Sequence, residues 1–136
     1  MIEERLRNHL IASPEIAKIA SDRVYPIIAR KDASLPMIIY TFTSKSPEDE
    51  MMGSSVLITN SLVNIAILAQ EPEEAILLAR LVQNRLSRSA FEDRNAADSR
   101  VILLSQFIEE RQSFDGNIDL IVVEQDYRIK YRSDLE

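Results

Sequence analysis

A two-residue turn signal near the C-terminus, Asp115-Gly116, constrains the fold of this chain more than any other feature. It separates two long segments rich in β-branched and aromatic residues, and both of its positions tolerate positive φ. The pattern therefore predicts a β-hairpin with residues 101–114 as one arm and residues 117–131 as the other. If the turn is type I′, Phe114 faces Asn117, and this pair sets the register of the whole hairpin.

That register predicts which face of the hairpin points to the core. The core-facing pairs are Ile102 with Ile129, Leu104 with Tyr127, Gln106 with Gln125, and Ile108 with Val123. The other face carries charged residues and is expected to face solvent, yet four apolar residues remain on it: Leu103, Phe107, Leu120 and Val122. Exposed apolar residues clustered on a strand face indicate a subunit contact. The alternative is that a second layer of the same chain covers them.

The remainder of the chain supplies two main helices and further strands. Ile2, Leu6 and Leu10 recur on one stripe and predict a first helix, followed by a short one that Ser13-Pro14 opens. Residues 23–28 indicate an edge strand or an extended connection, because Pro26 lacks a ladder donor. A strand is expected at residues 37–43. Residues 56–69 are expected to form a long strand or a strand pair that is central and largely buried, and a clear helix begins near Pro72. Residues 89–99 are expected to form a loop. The order predicts one α+β domain over residues 1–136, a mostly antiparallel sheet with two main helices on one face.

A polar segment at residues 44–55 interrupts the strands and is expected to form a mobile loop or the tip of a β-arm. A soft segment of this kind is a second candidate for contact with a partner. The candidate interface residues that it supplies are Lys45, Glu48, Asp49, Glu50, Met51 and Met52.

Composition excludes several classes of function. The chain of 136 residues has no cysteine, which removes disulfides, thiolate metal sites and cysteine nucleophiles. It has two glycines, too few for a P-loop or a dinucleotide fingerprint. The net charge of −6 opposes general binding to nucleic acid. No apolar run is long enough for a membrane span, and the acidic start does not resemble a signal peptide, so synthesis in the cytoplasm is expected.

Few residues suggest chemistry of their own. The single histidine, His9, borders the apolar stripe of the first helix and has no recognisable partner nearby. Residues 115–119 resemble the start of a calcium loop, but the pattern requires glycine and glutamate where the chain has Leu120 and Asp126. The adjacent Glu109 and Glu110 would point to opposite faces of a strand. We therefore expect no enzymatic activity, no cofactor and no metal.

The succession of elements resembles a known family. An N-terminal helix leads to Arg23-Val24-Tyr25-Pro26, and Leu35-Pro36-Met37-Ile38-Ile39-Tyr40 opens a strand. A polar arm, a strand at residues 63–69, a helix at residues 73–79 and a terminal strand pair follow. This arrangement is similar to the tail-completion, or tail-terminator, proteins of long-tailed bacteriophages and prophages, over nearly the whole chain.

The resemblance implies a structural function without catalytic residues. Such proteins form a ring, usually a hexamer, that caps the head-proximal end of the tail tube, ends tube polymerisation and joins the tail to the head. The implied partners are copies of the chain itself, the tail tube protein and a head–tail connector or stopper protein. The implied location is the neck region of the virion tail, after assembly in the bacterial cytoplasm. Three alternatives stay open: another head–tail joint protein, a small ligand-binding or regulatory module, and a hydrolase or nuclease with clustered carboxylates.

Overall fold

The fold is described from a computed structural model of the chain. It covers residues 1–47, 58–87, 91–93 and 100–132, with the backbone alone described at residues 91–93, 100, 101 and 103. Three helices and six strands occur in these ranges. The helices are α1 (Ile2–Ile11), α2 (Pro14–Ala20) and α3 (Pro72–Leu86). The strands are β1 (Val24–Pro26), β2 (Met37–Pro47), β3 (Ile58–Ala69), β4 (Phe91–Asp93), β5 (Arg100–Asp115) and β6 (Leu120–Arg132).

The strands form one sheet in the order β1-β2-β3-β6-β5-β4. All neighbours are antiparallel except β1 and β2, which are parallel. The α+β class predicted from the sequence is confirmed. The edge position expected for residues 23–28 is also correct, because β1 pairs with β2 alone among the described strands and contains Pro26. β4 was not predicted, since residues 89–99 were expected to form a loop.

The helices begin where the sequence places their capping signals. Ser13 accepts a hydrogen bond from the backbone N–H of Ile16 at 3.4 Å, and Pro14 occupies the first helical position of α2. α3 starts at Pro72 with Glu73 and Glu74 in its first turn, where the helix dipole favours negative charge. Both starts follow from local chemistry, so they were predictable.

The core lies between the three helices and one face of the sheet. The apolar stripe of α1 buries Ile2, Leu6 and Leu10 at no more than 1% exposure, as its periodicity predicts. Alternate residues of β2, β3 and β6 meet them. The largest fully buried side chains from these strands are Tyr40, Ile38, Ile65, Ile67, Tyr127 and Tyr131.

Arginine side chains join the helices to one another and to the sheet edge. Arg85 Nε on α3 donates to the carbonyl oxygen of His9 at 2.9 Å, and His9 Nε2 lies 3.3 Å from the carbonyl oxygen of Arg85. Arg7 Nε donates to Val24 O at 2.9 Å, and Arg23 Nε donates to Pro36 O at 2.9 Å. His9 therefore has a structural contact between α1 and α3.

The hairpin turn differs from the predicted two-residue turn. It spans residues 116–119, and Phe114 pairs with Ile121 instead of Asn117. The Asp115 carboxylate accepts the backbone N–H of Asn117 at 3.0 Å, and Asp119 takes φ 48°, which lengthens the turn. The predicted register is wrong for these reasons, since side-chain capping by Asp115 replaces the tight backbone turn.

Two irregularities in β5 add to this error, between Ile102 and Leu104 and between Phe107 and Glu109. Each one exchanges the faces of the residues that follow it. Phe107 packs against the core, with its ring edge-to-face to Tyr127 at 5.6 Å between centroids. Ile108 is 45% exposed, so the predicted faces of Phe107 and Ile108 are both wrong. The predicted division of β6 residues between the core face and the solvent face is correct, because that strand has no irregularity.

Candidate protein–protein interface

The face of the sheet opposite the helices, here termed the open face, is the first candidate surface. Its residues are those of β2, β3 and β6 that alternate with the buried ones. They are half-buried, whereas their neighbours on the helix side are buried to within a few per cent. The cross-strand register aligns them in rows, such as Thr41 with Asn64 and Asp126. The open-face residues are Ile39, Thr41, Leu62, Asn64, Ala66, Leu68, Leu120, Val122, Glu124, Asp126 and Arg128.

An ionic cluster lies at the centre of the open face. Arg111 Nη1 lies 2.6 Å from Glu109 Oε1 and 2.6 Å from Asp126 Oδ2. Arg111 Nε lies 3.7 Å from Glu124 Oε2, and Asn64 Nδ2 donates to Asp126 Oδ1 at 3.0 Å. The hydrogen bond from Arg111 holds the pKa of Asp126 below its usual value, although partial burial acts in the opposite direction. The Asp126 carboxylate is therefore held ionised beside a guanidinium, which suits electrostatic recognition better than proton transfer.

A solvent-open depression of about 520 Å³ lies beside this cluster. Thr41, Leu62 and Ile108 contribute to its walls together with the cluster residues Asn64 and Asp126. Within the described ranges, no group of three His, Asp or Glu side chains is placed to hold a metal ion. No helix in the described part of the chain is long and apolar enough to cross a membrane.

Of the four interface residues predicted on the hairpin, two lie on the open face. Leu120 and Val122 lie on the open face and are half-buried, as expected from the β6 pattern. Phe107 lies on the core side instead, and Leu103 is described by its backbone alone. Their role in an interface stays a prediction.

Lys45, predicted from the polar arm, lies near the end of β2. Its Nζ forms an ion pair with Glu3 Oε2 at 2.6 Å and lies 5.2 Å from the centroid of the Phe42 ring. Burial is the largest single influence on the pKa of Glu3 and raises it, but the hydrogen bond from Lys45, a backbone hydrogen bond and the nearby positive charges together lower the pKa below its usual value. The other predicted arm residues, Glu48, Asp49, Glu50, Met51 and Met52, lie outside the described residues.

The sequence reasoning missed two exposed apolar surfaces at opposite edges of the sheet. The first follows β1: Ile27 and Ile28 are 74% and 76% exposed. The second is the far end of the β5–β6 hairpin, where Phe114 and Ile118 are each 62% exposed. A signal was present in both places, because large apolar residues occupied turn positions that polar residues normally take.

A third apolar surface lies on the outer side of α3. Leu77 is 52% exposed and Ile76 is 42% exposed. Leu77, Leu81 and Ile19 of α2 line a groove of about 480 Å³ between the two helices. The described part of the chain thus combines a half-covered sheet face with several exposed apolar surfaces, which is the kind of surface that subunits of protein assemblies present.

Comparison with known proteins places this subunit in a family. Residues 4–132 match the family described as tail completion protein gp17. The chain belongs to this family of phage tail proteins, as its sequence predicted, and has a structural role in the phage tail. No curated protein matches the chain. Among solved structures, it is similar to a chain from the virion of a native gene transfer agent particle, with a TM-score of 0.64 and 12% identity over 94% of this chain and 92% of that chain. That similarity shows a shared fold.

Proposed function

We propose that six copies of the protein form a ring that caps the head-proximal end of the phage tail tube. This ring ends tube polymerisation and joins the tail to the head. The family match over residues 4–132 carries this proposal. Its partners are copies of the chain, the tail tube protein and a head–tail connector or stopper protein. Its place is the neck of the virion, after assembly in the host cytoplasm.

The surfaces of the chain support a role that depends on contacts. A ring subunit needs two different contact surfaces for its neighbours and others for the structures above and below it. The open face, the hairpin end, the surface after β1 and the α3 groove supply several such surfaces on one small chain. The charged cluster around Arg111 adds electrostatic selectivity, which sets association rate and register more than affinity.

The polar arm is the segment that we assign to the tube or the head. We propose that Lys45 and the five residues from Glu48 to Met52 contact a larger partner when the ring reaches the finished tube. Leu103, Leu120 and Val122 retain their proposed part in contacts between subunits, whereas Phe107 packs on the core side.

Elongation of tail tubes tests the capping function. Preformed tubes are incubated with the protein, fluorescent tube subunits are then added, and growth at each end is measured by microscopy. The proposal predicts that growth stops at one end and continues at the other. Growth at both ends, with the protein bound to isolated heads instead, would contradict capping and indicate a different head–tail joint protein.

A further inference from the structure

We infer that neighbouring subunits in the proposed ring contact each other head to tail, with the loop after β1 of one copy seated against the hairpin edge of the next. This inference rests on the proposed ring and names the surfaces that form it. The term loop surface denotes residues 27–32, and the term hairpin edge denotes residues 104–119.

The loop surface presents two isoleucines in an unusual backbone conformation. Ile27 has φ 67°, a region that β-branched residues rarely adopt. Its N–H donates to Tyr40 O at 2.9 Å, and the N–H of Ile28 donates to Pro26 O at 2.6 Å, which closes a γ-turn around it. These bonds hold both isoleucine side chains in solvent, at 74% and 76% exposure. A strained turn that exposes apolar side chains indicates a contact surface.

The hairpin edge presents apolar side chains together with backbone groups that face no other described strand. β4 pairs with β5 at Arg100 and Ile102. In the described part of the chain, no strand pairs with the outer side of β5 beyond those residues. Ile108, Phe114 and Ile118 are 45%, 62% and 62% exposed along it. An uncovered strand edge with apolar side chains is a template for another chain.

The two surfaces carry opposite charge. The loop surface contains Arg30 and Lys31 against a single acidic residue, Asp32, which lies 3.9 Å from Arg30 in a highly exposed pair. The hairpin edge contains one arginine, and its four acidic residues are Glu109, Glu110, Asp115 and Asp119. Copies of a chain with net charge −6 repel one another on average. A basic apolar surface facing an acidic apolar one overcomes this repulsion locally and fixes the orientation of the contact.

The sheet places these surfaces at opposite edges and at the same level. Ile27 bonds to Tyr40, and the register continues from Tyr40 to Ile65, from Ile65 to Gln125 and from Gln125 to Glu110. One row of the sheet therefore links the loop surface to the hairpin edge. Two different, complementary surfaces on opposite sides of a subunit form a heterologous contact, which generates a closed ring when the rotation between copies is suitable. The occupant of each surface is thus a second copy of this chain.

Cysteine cross-linking tests the contact directly, because the natural chain contains no cysteine. The variant with Ile28→Cys and Phe114→Cys is oxidised with and without tail tubes. A disulfide forms only when the two Cα atoms approach to within about 7 Å, and a short bis-maleimide extends this reach. We expect a ladder of covalent oligomers larger than dimers, and a mixture of the two single variants should give a heterodimer.

A matched pair provides the control for this experiment. Ile28→Cys is combined with Leu77→Cys, because Leu77 is 52% exposed but lies in the groove between α3 and α2. We expect at least about tenfold less cross-linking from this pair. A second test pair, Ile28→Cys with Ile108→Cys, probes the level of the row that links the two surfaces, because Ile108 lies two residues from Glu110 and is exposed. If neither test pair exceeds the control, the head-to-tail contact is overturned.

Charge reversal supplies an independent test with a specific rescue. The loop variant carries Arg30→Glu and Lys31→Glu, and the hairpin variant carries Glu109→Lys and Asp119→Lys. Each variant should associate with itself about three- to tenfold more weakly than the natural chain, since exposed ion pairs contribute modestly. An equal mixture of the two should recover association, because an alternating ring has complementary charges at each contact. The inference would be contradicted if either variant alone associated as strongly as the natural chain, or if the mixture associated no more strongly than the separate variants.

These outcomes separate the contact from the proposed function. Tubes that are capped by a protein whose test pairs do not cross-link would leave the function intact and remove the contact. Covalent oligomers from a protein that does not cap tubes would support the contact and contradict the proposed function. Circular dichroism and thermal unfolding of each variant confirm that it is folded.

Discussion

At the residue scale, Gln125 joins the sheet to α3 through a buried hydrogen-bond network. Its side chain is fully buried, and its Nε2 donates to Ala79 O and to Glu110 Oε1, both at 2.9 Å. Its Oε1 accepts the hydroxyl proton of Tyr127 at 2.7 Å. The sequence placed Gln125 on the core face of the hairpin, but the identity of its partners could not be predicted because the register in β5 was wrong.

Replacement of Gln125 should therefore be costly. We expect Gln125→Leu to lower the free energy of unfolding by about 1–3 kcal/mol, because the Tyr127 hydroxyl loses its acceptor in a buried site. Chemical denaturation measures this change. The control Gln112→Leu alters an exposed residue of the same hairpin and should change stability by no more than about 0.5 kcal/mol. Equal effects of the two substitutions would show that the network contributes little.

Asp126 should make stability depend on pH in the acidic range. Its pKa in the folded chain lies below the usual value of 3.8, chiefly because Arg111 donates a hydrogen bond to it. A carboxyl group whose pKa is lowered in the folded state stabilises the fold at pH values above its pKa in the unfolded chain. This stabilisation is lost as the pH falls through the pKa of the folded state. We expect Asp126→Asn to reduce the fall in melting temperature between about pH 5 and pH 2.5.

The exposed Asp32 provides the control for this measurement. Its ion pair with Arg30 is long and both side chains are more than 70% exposed, so Asp32→Asn removes a contact that contributes little to stability. A profile that is equally steep in the Asp126→Asn variant and in the natural chain would contradict the assigned role of Arg111.

At the scale of elements, the sequence predicted the existence and type of most helices and strands. α3 was predictable because its proline, acidic first turn and apolar stripe agree. The parallel pairing of β1 with β2 and the presence of β4 could not be predicted. β1 and β4 contain only three residues each, and their pairing depends on neighbours that are distant in sequence. The assignment of β5 side chains to the two faces of the sheet was wrong for a related reason, because the irregularities of this strand have no signal in the sequence.

Gly116 distinguishes the observed hairpin turn from the predicted one. A type I′ turn would require positive φ at this residue, whereas Gly116 lies outside the positive-φ region in the four-residue turn. An added Cβ would contact the Phe114 ring at 3.5 Å, an ordinary van der Waals distance. We expect Gly116→Ala to leave stability unchanged or raise it by about 0.4–1 kcal/mol, because alanine restricts the unfolded chain.

Asp119 serves as the counterpart in the same turn. It takes φ 48°, so Asp119→Ala should destabilise the hairpin by about 1 kcal/mol. Thermal unfolding of both variants checks the pair of expectations. A loss of stability with Gly116→Ala and none with Asp119→Ala would support the two-residue turn instead.

At the scale of the whole molecule, the surfaces decide the function. The open face was predictable along β6, because strict alternation leaves Leu120, Val122 and the charged residues on one side. The exposed ends of β1 and of the hairpin were not, since their exposure depends on where neighbouring strands stop. The family resemblance read from short segments is confirmed by the match over residues 4–132. The contacts that the family fold makes in a particle depend on partners that are separate chains.

The position of the protein on tail tubes distinguishes a cap at one end from any other role in the tail. The protein is labelled with gold at an added C-terminal tag, mixed with purified tubes, and imaged by negative stain. The account predicts label at one end of each tube, in a ring of several copies that closes about the tube axis. Label spread along the tube wall, or tubes that carry none at either end, would contradict it.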